Sequence, residues 1–372
     1  MRLTPSEEAE ELRTIVRAFL DKHTDHAVEE SPDAPGWDPS VWHRFACELG
    51  TAGLDVPEDF GGAGAGFREI AVVAEELGRS LTRLPWFSTA VLGAGVLLHT
   101  DDDAARAELL PGIASGGTTA TLAYREQPSG EAVDQPVTTT TTATADGSDW
   151  HLDGTKILAV EGATVDLLFV TARAPEGMRI FAVSADAPGL RRTATRAMDP
   201  RRQLARIELA GTPARPVVSA ARAGTVLAEV LDRAVAALAA EQLGGAAAAL
   251  DAAVAHARDR MQFGRPIGSF QAVKHRCADM AVQVEAARSA SAWATAAAAE
   301  APDELPLAAV TAGLRCGEAY RYVAAENIQV HGGIGFTWEH PAHLHFRRAA
   351  TSAVLFGDKA QHRERLLAEL GV

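Results

Sequence analysis

Apolar residues at Leu12, Ile15, Val16, Phe19 and Leu20 recur at helical spacing and predict a first helix. Thr4-Pro5-Ser6-Glu7 ahead of it reads as a capping box, with Pro at the first helical position and Glu7 reaching back to the cap. The same periodicity predicts helices over 39–50, 67–79, 86–99 and 102–115, separated by Pro32, Pro35, Gly36 and the run Gly61-Gly62-Ala63-Gly64-Ala65-Gly66. Near residue 116 the texture changes to short β-branched or aromatic runs bounded by Gly, Pro and Asp. Thr118–Tyr124, Trp150–Leu152, Asp166–Ala172, Arg179–Val183 and Gln203–Leu209 read as strands, and Thr138–Thr142 as an exposed edge strand. From about Ala220 the chain is Ala-rich and periodic again, predicting helices over 223–260, 269–299, 304–331, 341–352 and 358–369. Gly264-Arg265-Pro266 and Gly332-Gly333-Ile334-Gly335 break that series. Small side chains let helices approach closely, so these predict a four-helix bundle. The expected organisation is an α-helical domain over 1–115, a β domain over 116–220 and a helical bundle over 221–372.

The chain has 372 residues, 47% of them hydrophobic and 23% charged, which excludes intrinsic disorder and a small disulfide scaffold. Its 35 basic and 49 acidic residues leave a formal charge of -14, which argues against a general nucleic-acid surface. A few arginines at one site can still hold a phosphate-bearing small molecule. Cys47, Cys277 and Cys316 are odd in number and form no CxxC pair, as expected of reduced, buried thiols in a cytoplasmic protein. The acidic N-terminus carries no secretory signal pattern. Ala234–Ala257 is the one stretch with the apolar character of a span, but it holds Glu241, Gln242, Asp251 and His256 and reads as a buried helix of a soluble protein.

Two motifs carry the chemistry. Arg260-Met261-Gln262-Phe263-Gly264-Arg265-Pro266-Ile267, continuing to Phe270-Gln271, places a guanidinium at a helix end before a glycine turn, where its planar fork can grip a pyrophosphate. Gln329-Val330-His331-Gly332-Gly333-Ile334-Gly335-Phe336 ends another helix in a glycine pair, whose N–H groups phosphate oxygens can approach with no Cβ in the way. With Val56-Pro57-Glu58-Asp59-Phe60-Gly61-Gly62 and Ala278-Asp279-Met280, the chain resembles the acyl-CoA dehydrogenase family over essentially its whole length. The resemblance implies that family's α+β fold: an N-terminal helical domain, a middle β-barrel-like domain and a C-terminal four-helix bundle that mediates oligomerisation. It implies FAD as cofactor, an acyl-CoA thioester as substrate and an electron-transfer flavoprotein as electron acceptor. It also implies that Arg260, Phe263, Phe270, Gln271, Gln329, Gly332 and Gly333 bind the ADP half of FAD across a subunit interface.

The departures from the family pattern are as informative. The place of the usual catalytic glutamate, just before a glycine, falls in Leu355-Phe356-Gly357-Asp358 and holds Phe356, which cannot accept an α-proton. The alternative site of the base, on the first bundle helix, holds Ala234. The family's Thr-Glu-Pro segment beside the flavin is replaced by Tyr124-Arg125-Glu126-Gln127-Pro128, and its Trp-x-Thr after a lysine by Ile157-Leu158-Ala159-Val160 after Lys156. Residues expected to hold a neighbour's ADP moiety are kept, while those for this chain's own flavin ring and for proton abstraction are changed. The resemblance therefore implies a base-lacking subunit of a heteromeric, actinobacterial-type acyl-CoA dehydrogenase of lipid or steroid catabolism, assembled with another such chain.

Two alternatives stand beside it: a reduced-flavin-dependent oxygenase of the same fold, and a non-catalytic scaffold. Glu241, two helical turns beyond Ala234, is a candidate displaced base, against the plainer role of a carboxylate paired within the bundle. His340, His343 and His345 fit no trusted metal-ligand spacing and read as a solvated helix face, with Arg347 and Arg348 beside them.

Overall fold

The computed structural model describes residues 1–24, 36–126, 139–147 and 149–372. The chain divides into two compact units. One gathers the described residues of Met1–Glu29, Phe67–Thr82 and Val235–Val372, and the other those of Glu30–Gly66 and Arg83–Ala234. The first 115 residues thus contribute to both units.

In the helical unit, α1 (Glu7–His23) buries Ala9, Val16 and Leu20. Ser6, rather than Thr4, is its cap: the Ser6 Oγ accepts from the Ala9 N–H at 3.1 Å, and Pro5 lies outside the helix. Against α1 packs α3 (Phe67–Ser80), and the bundle follows as the part of α6 (Ala223–Asp259) from Val235 onward, α7 (Gln271–Glu300), α8 (Leu305–His331), α9 (Ala342–Ser352) and α10 (Lys359–Glu369). Mid-helix glycines ordinarily weaken a helix. In α6 they make the crossings possible: a Cβ at Gly244 would sit 1.8 Å from the Glu75 carbonyl oxygen, and one at Gly245 would sit 2.3 Å from the Tyr320 ring. α3 answers with Gly78, where a Cβ would lie 1.9 Å from the Glu241 carbonyl oxygen. Glu76 of α3 is almost fully buried and is gripped by Arg17 at 2.7 Å, Arg13 at 3.1 Å and Arg79 at 3.1 Å.

In the other unit, the short helices α2 (Pro39–His43), α4 (Ala94–His99) and α5 (Asp103–Ala114) accompany a seven-stranded sheet. Its strands are β1 (Ala120–Ala123), β2 (Thr142–Asp146), β3 (Asp149–Val160), β4 (Leu167–Ala174), β5 (Gly177–Ser184), β6 (Leu190–Thr195) and β7 (Leu204–Val218). The order β4-β2-β3-β7-β5 returns to β4 through the β4–β5 ladder, so the sheet closes into a small barrel. Closure removes exposed edges. Leu152, Leu168, Val170, Phe181, Val183 and Ile207 fill its interior.

Two strand expectations are corrected. The threonine run is not an edge strand: β2 begins at Thr142 between β3 and β4, Thr139 and Thr141 are buried, and Thr138 lies outside the described residues. Trp150–Leu152 is only part of a 12-residue strand. The β6 strand was not anticipated. The thiols also differ: Cys316 is buried, but Cys47 and Cys277 are half-buried. No helix among the described residues is long and apolar enough to cross a membrane.

Candidate functional site

The two motifs meet at one end of the bundle. α6 stops at Asp259, and Arg260 follows with its amide N–H donating to the His256 carbonyl. The chain then turns through a two-strand hairpin, β8 (Met261–Gln262) with β9 (Arg265–Pro266). Its tip residues Phe263 and Gly264 both have positive φ, 52° and 75°, as a tight hairpin turn demands. The Arg265 guanidinium lies over the Phe270 ring at 4.0 Å, and Phe270 meets Phe263 edge-on at 6.1 Å. Gln271 opens α7. α8 ends at His331, and Gly332, with φ 66°, leads into a tight turn over Gly332–Phe336.

Three imidazoles tie the motifs together: His256 stacks on His331 at 4.2 Å, and His331 on His340 at 4.2 Å. The His331 ring is oriented by the Asn327 carbonyl at 2.9 Å. Burial lowers the His256 pKa, and the neighbouring His331 and Arg260 lower it further. Burial likewise lowers His340, reinforced by His331, His256 and His343. Both shifts favour the neutral imidazole at His256 and His340. In the sequence His331 lies within the second motif and His340 heads the His340, His343 and His345 cluster, but their row with His256 spans three segments and no contiguous pattern shows it.

Arg260, Phe263, Gln271, Gln329, Gly332 and Gly333 are all exposed, and Phe270 is half-buried. Arg260 makes no side-chain hydrogen bond or ion pair among the described residues, and a Cβ at Gly332 or Gly333 would meet nothing within 4 Å. An unengaged guanidinium and bare glycine backbone at the same end of the bundle suit a pyrophosphate, and the exposed Phe263 and half-buried Phe270 suit an attached nucleoside. The same two turns carry exposed apolar residues, Met261, Phe263, Ile334, Phe336 and Trp338, with Phe263 90% and Phe336 81% accessible. An apolar patch of this kind marks an interaction surface.

The second set of positions behaves differently. Phe356 sits half-buried in the turn between α9 and α10, with φ 56°. Gly357 beside it has φ 127°, and Asp358 caps α10 in a capping box with Gln361. Ala234 is fully buried. Leu158, at one of the altered flavin-side positions, also has a positive φ, 54°. The Arg125 carbonyl accepts from the Ile157 N–H at 2.8 Å, while Gln127 and Pro128 lie outside the described residues.

Glu126 is fully engaged. Its carboxylate takes the Lys156 ammonium at 2.5 Å, the Thr139 and Thr141 hydroxyls at 2.6 and 2.7 Å, the Thr140 and Thr141 amides at 2.7 and 3.1 Å, and the Thr140 hydroxyl. Burial alone would raise its pKa, but the bonds from Lys156 and the threonines reverse this and hold it well below the usual range. Lys156 is wholly buried, and burial pulls its pKa down to about 8 against the attraction of Glu126.

Glu241 is 3% exposed and its Oε1 accepts from Arg348, 3% exposed, at 3.1 Å. The structure thus places it inside an ion pair on the bundle. The expected solvated helix face is not formed: His340 precedes α9 and belongs to the imidazole row, His343 is buried and accepts from Arg347, and His345 bonds the Tyr320 hydroxyl at 3.0 Å. Among the described residues no group of His, Cys, Asp and Glu is placed to hold a metal ion.

Residues 6–117 match the acyl-CoA dehydrogenase N-terminal domain, 118–211 the middle domain and 223–371 the C-terminal domain. The chain belongs to the acyl-CoA dehydrogenase family, whose members are FAD-binding oxidoreductases acting on the CH–CH group of acyl-CoA. It is 35% identical to acyl-CoA dehydrogenase IpdE2 of Mycobacterium tuberculosis, covering 99% of both chains. Among solved structures it resembles a Tcur3481-Tcur3483 steroid ACAD variant, with a TM-score of 0.86, 32% identity and 98% of both chains covered. It also resembles the ChsE4-ChsE5 complex of Mycobacterium tuberculosis, with a TM-score of 0.87, 29% identity and coverage of 100% of this chain and 99% of that one.

Proposed function

We propose that this chain is the base-lacking subunit of a two-component acyl-CoA dehydrogenase, holding the ADP half of a FAD whose flavin ring lies in a partner subunit. The observation that carries the reading is the contrast between the unengaged Arg260 beside bare Gly332–Gly333 backbone and the phenylalanine at the place of the base. Arg260 would fork onto the pyrophosphate, and the Gly332 and Gly333 N–H groups would donate to its oxygens. Phe263 and Phe270 would flank the adenosine, with Gln271 and Gln329 as polar contacts. When bound, the flavin supplies the hydride acceptor for α,β-dehydrogenation of a thioester. The α-proton then needs a carboxylate from the partner, because Phe356 and Ala234 have no basic atom and Glu241 is held by Arg348. Electrons would leave to an electron-transfer flavoprotein. Two similar structures carry paired names, and one of them is described as a steroid enzyme, which supports a paired assembly and a bulky acyl-CoA.

The test is co-expression with an acyl-CoA dehydrogenase-like chain that has the glutamate, followed by counting FAD per subunit. Half a FAD per chain is expected. Arg260→Ala should lower FAD retention at least about tenfold, the worth of one charge-assisted contact, without shifting Tm, since Arg260 is exposed. The lone chain holding one FAD and oxidising acyl-CoA would overturn the reading. Unchanged occupancy in Arg260→Ala would leave a scaffold.

A further inference from the structure

The imidazole row has no part in the proposal above, yet it joins the two turns on which that proposal stands. His256 lies one helical turn before Arg260, whose amide N–H donates to the His256 carbonyl, and His331 directly precedes Gly332. With 4.2 Å between His256 and His331, and again between His331 and His340, the rings run as one stack from the Arg260 turn to the segment before α9. Like charges this close disfavour one another, so the row accepts one proton well before a second.

Hydrogen bonding decides which ring takes it. The buried His331 donates from Nδ1 to the Asn327 carbonyl at 2.9 Å. The His340 Nδ1 accepts from the Ala342 N–H at 3.2 Å, a bond that a proton on that atom would break. His256 is half-buried and its ring makes no hydrogen bond among the described residues, so in either tautomer its bare nitrogen is open to a proton. Burial comes first in lowering the His256 pKa, followed by His331 and Arg260, with Asp259 opposing them. The turn Ile267–Ser269, packed against Ala257, carries no titratable side chain, and Lys274 and His275 near the start of α7 are exposed. His343, behind His340, accepts from Arg347. An anion seated on Arg260 would offset that cation and add negative charge, which favours the protonated His256 ring.

We propose that His256 takes up a proton as a pyrophosphate binds at Arg260 and the glycine pair, so that the clamp tightens in acid. The proposal rests on the pyrophosphate reading of that site. By linkage, the proton raises the anion's affinity by the same factor as the anion raises the proton's. Affinity should therefore rise as pH falls through the His256 pKa of the bound form and level off below that of the free form.

The probe is ADP-ribose, a pyrophosphate diester with no group of its own that titrates between pH 6 and pH 8.5, followed by titration calorimetry on the full chain. Affinity at pH 6 is expected to exceed that at pH 8.5 by about three- to tenfold, the worth of half to one unit of pKa rise. Titrations near pH 6.5 in two buffers of different ionisation enthalpy should show net proton uptake. His256→Phe keeps a ring in the row and should flatten the pH dependence, whereas His340→Phe should preserve it. Far-UV circular dichroism and Tm establish that both variants are folded. Affinity constant with pH, absence of proton uptake, or a pH dependence that survives His256→Phe would overturn the linkage and leave the pyrophosphate reading standing. A pH dependence lost in His340→Phe would overturn the assignment to His256. No binding at any pH, or binding indifferent to Arg260→Ala, would overturn the pyrophosphate reading and the linkage with it.

Discussion

Glu126→Gln tests how much of the barrel's stability rests on one carboxylate. The substitution keeps the shape and removes the charge that faces Lys156, a side chain with no solvent access. Lys156 would face at best a neutral amide oxygen in place of the carboxylate, beside the Thr139 and Thr171 hydroxyls at 2.8 and 3.0 Å. Removing one partner of a buried ion pair costs about 3–5 kcal/mol, and that loss is expected near pH 6, read from urea unfolding followed by tryptophan emission. The pH dependence supplies a signature that lost packing would not produce. Lys156 has a folded pKa of about 8, below its unfolded value of about 10.4. Between those values the unfolded chain binds more protons, so this group adds stability as pH rises. Without Glu126 the folded pKa falls further and the window opens at lower pH. The deficit of the variant should therefore shrink between pH 6 and pH 9, by about 1.4 kcal/mol for each unit that Lys156 falls below 8. A loss under about 1 kcal/mol, or one constant with pH, would refute the coupling.

Gly244→Ala places a Cβ 1.8 Å from the Glu75 carbonyl oxygen, so α3 and α6 must separate. A loss at or above the upper end of about 1–3 kcal/mol for overpacking is expected, while Gly224→Ala, with nothing within 4 Å, should be neutral or stabilising by up to about 1 kcal/mol in the same melts. Glu241→Gln removes the carboxylate that faces the buried Arg348 guanidinium and should cost about 3–5 kcal/mol. Adding Arg348→Met should recover part of that loss, whereas a base acting only in catalysis would leave the melts unchanged. Burial pushes the Glu76 pKa up, but Arg17, Arg13 and Arg79 outweigh it and the pKa is lowered. Its contribution is therefore present above the unfolded value of about 4.3 and lost as pH falls through the folded one. Glu76→Gln should flatten the acid limb of the urea midpoint against pH.

Helix boundaries were legible to within a few residues where glycine and proline or a cap mark them, as at Asp259 and His331. The strands were less so, because closure changes what the pattern means. Thr142 looked exposed by composition, yet it starts a strand with neighbours on both sides, and β6 alternates half-buried Leu190, Arg192 and Ala194 with exposed residues, too weak an apolar signal to register. The motif residues around Arg260 could be named because each motif is contiguous. The imidazole row draws on three separate segments, which no periodicity records.

What residue identity could not show is that the altered positions keep an unusual backbone. Leu158 and Phe356, two of the positions where the sequence departs from the family pattern, are among only five non-glycine residues with positive φ in the described chain. For a bulky L-residue that conformation costs about 1–3 kcal/mol and persists only where the surroundings impose it. At Phe356 the imposition is visible: Gly357 at φ 127° and the Asp358 capping box fix the entry to α10 on its far side. The turn is thus set by the helix geometry and does not depend on which side chain it presents. A carboxylate could be put back with the turn intact, and Phe356→Glu is expected to fold with an unchanged Tm. On the two-component reading it should still not oxidise acyl-CoA alone, because the changes at Tyr124–Glu126 and Ile157–Val160 concern the flavin ring rather than the base. Activity from the lone Phe356→Glu chain would mean that this chain holds its own flavin after all.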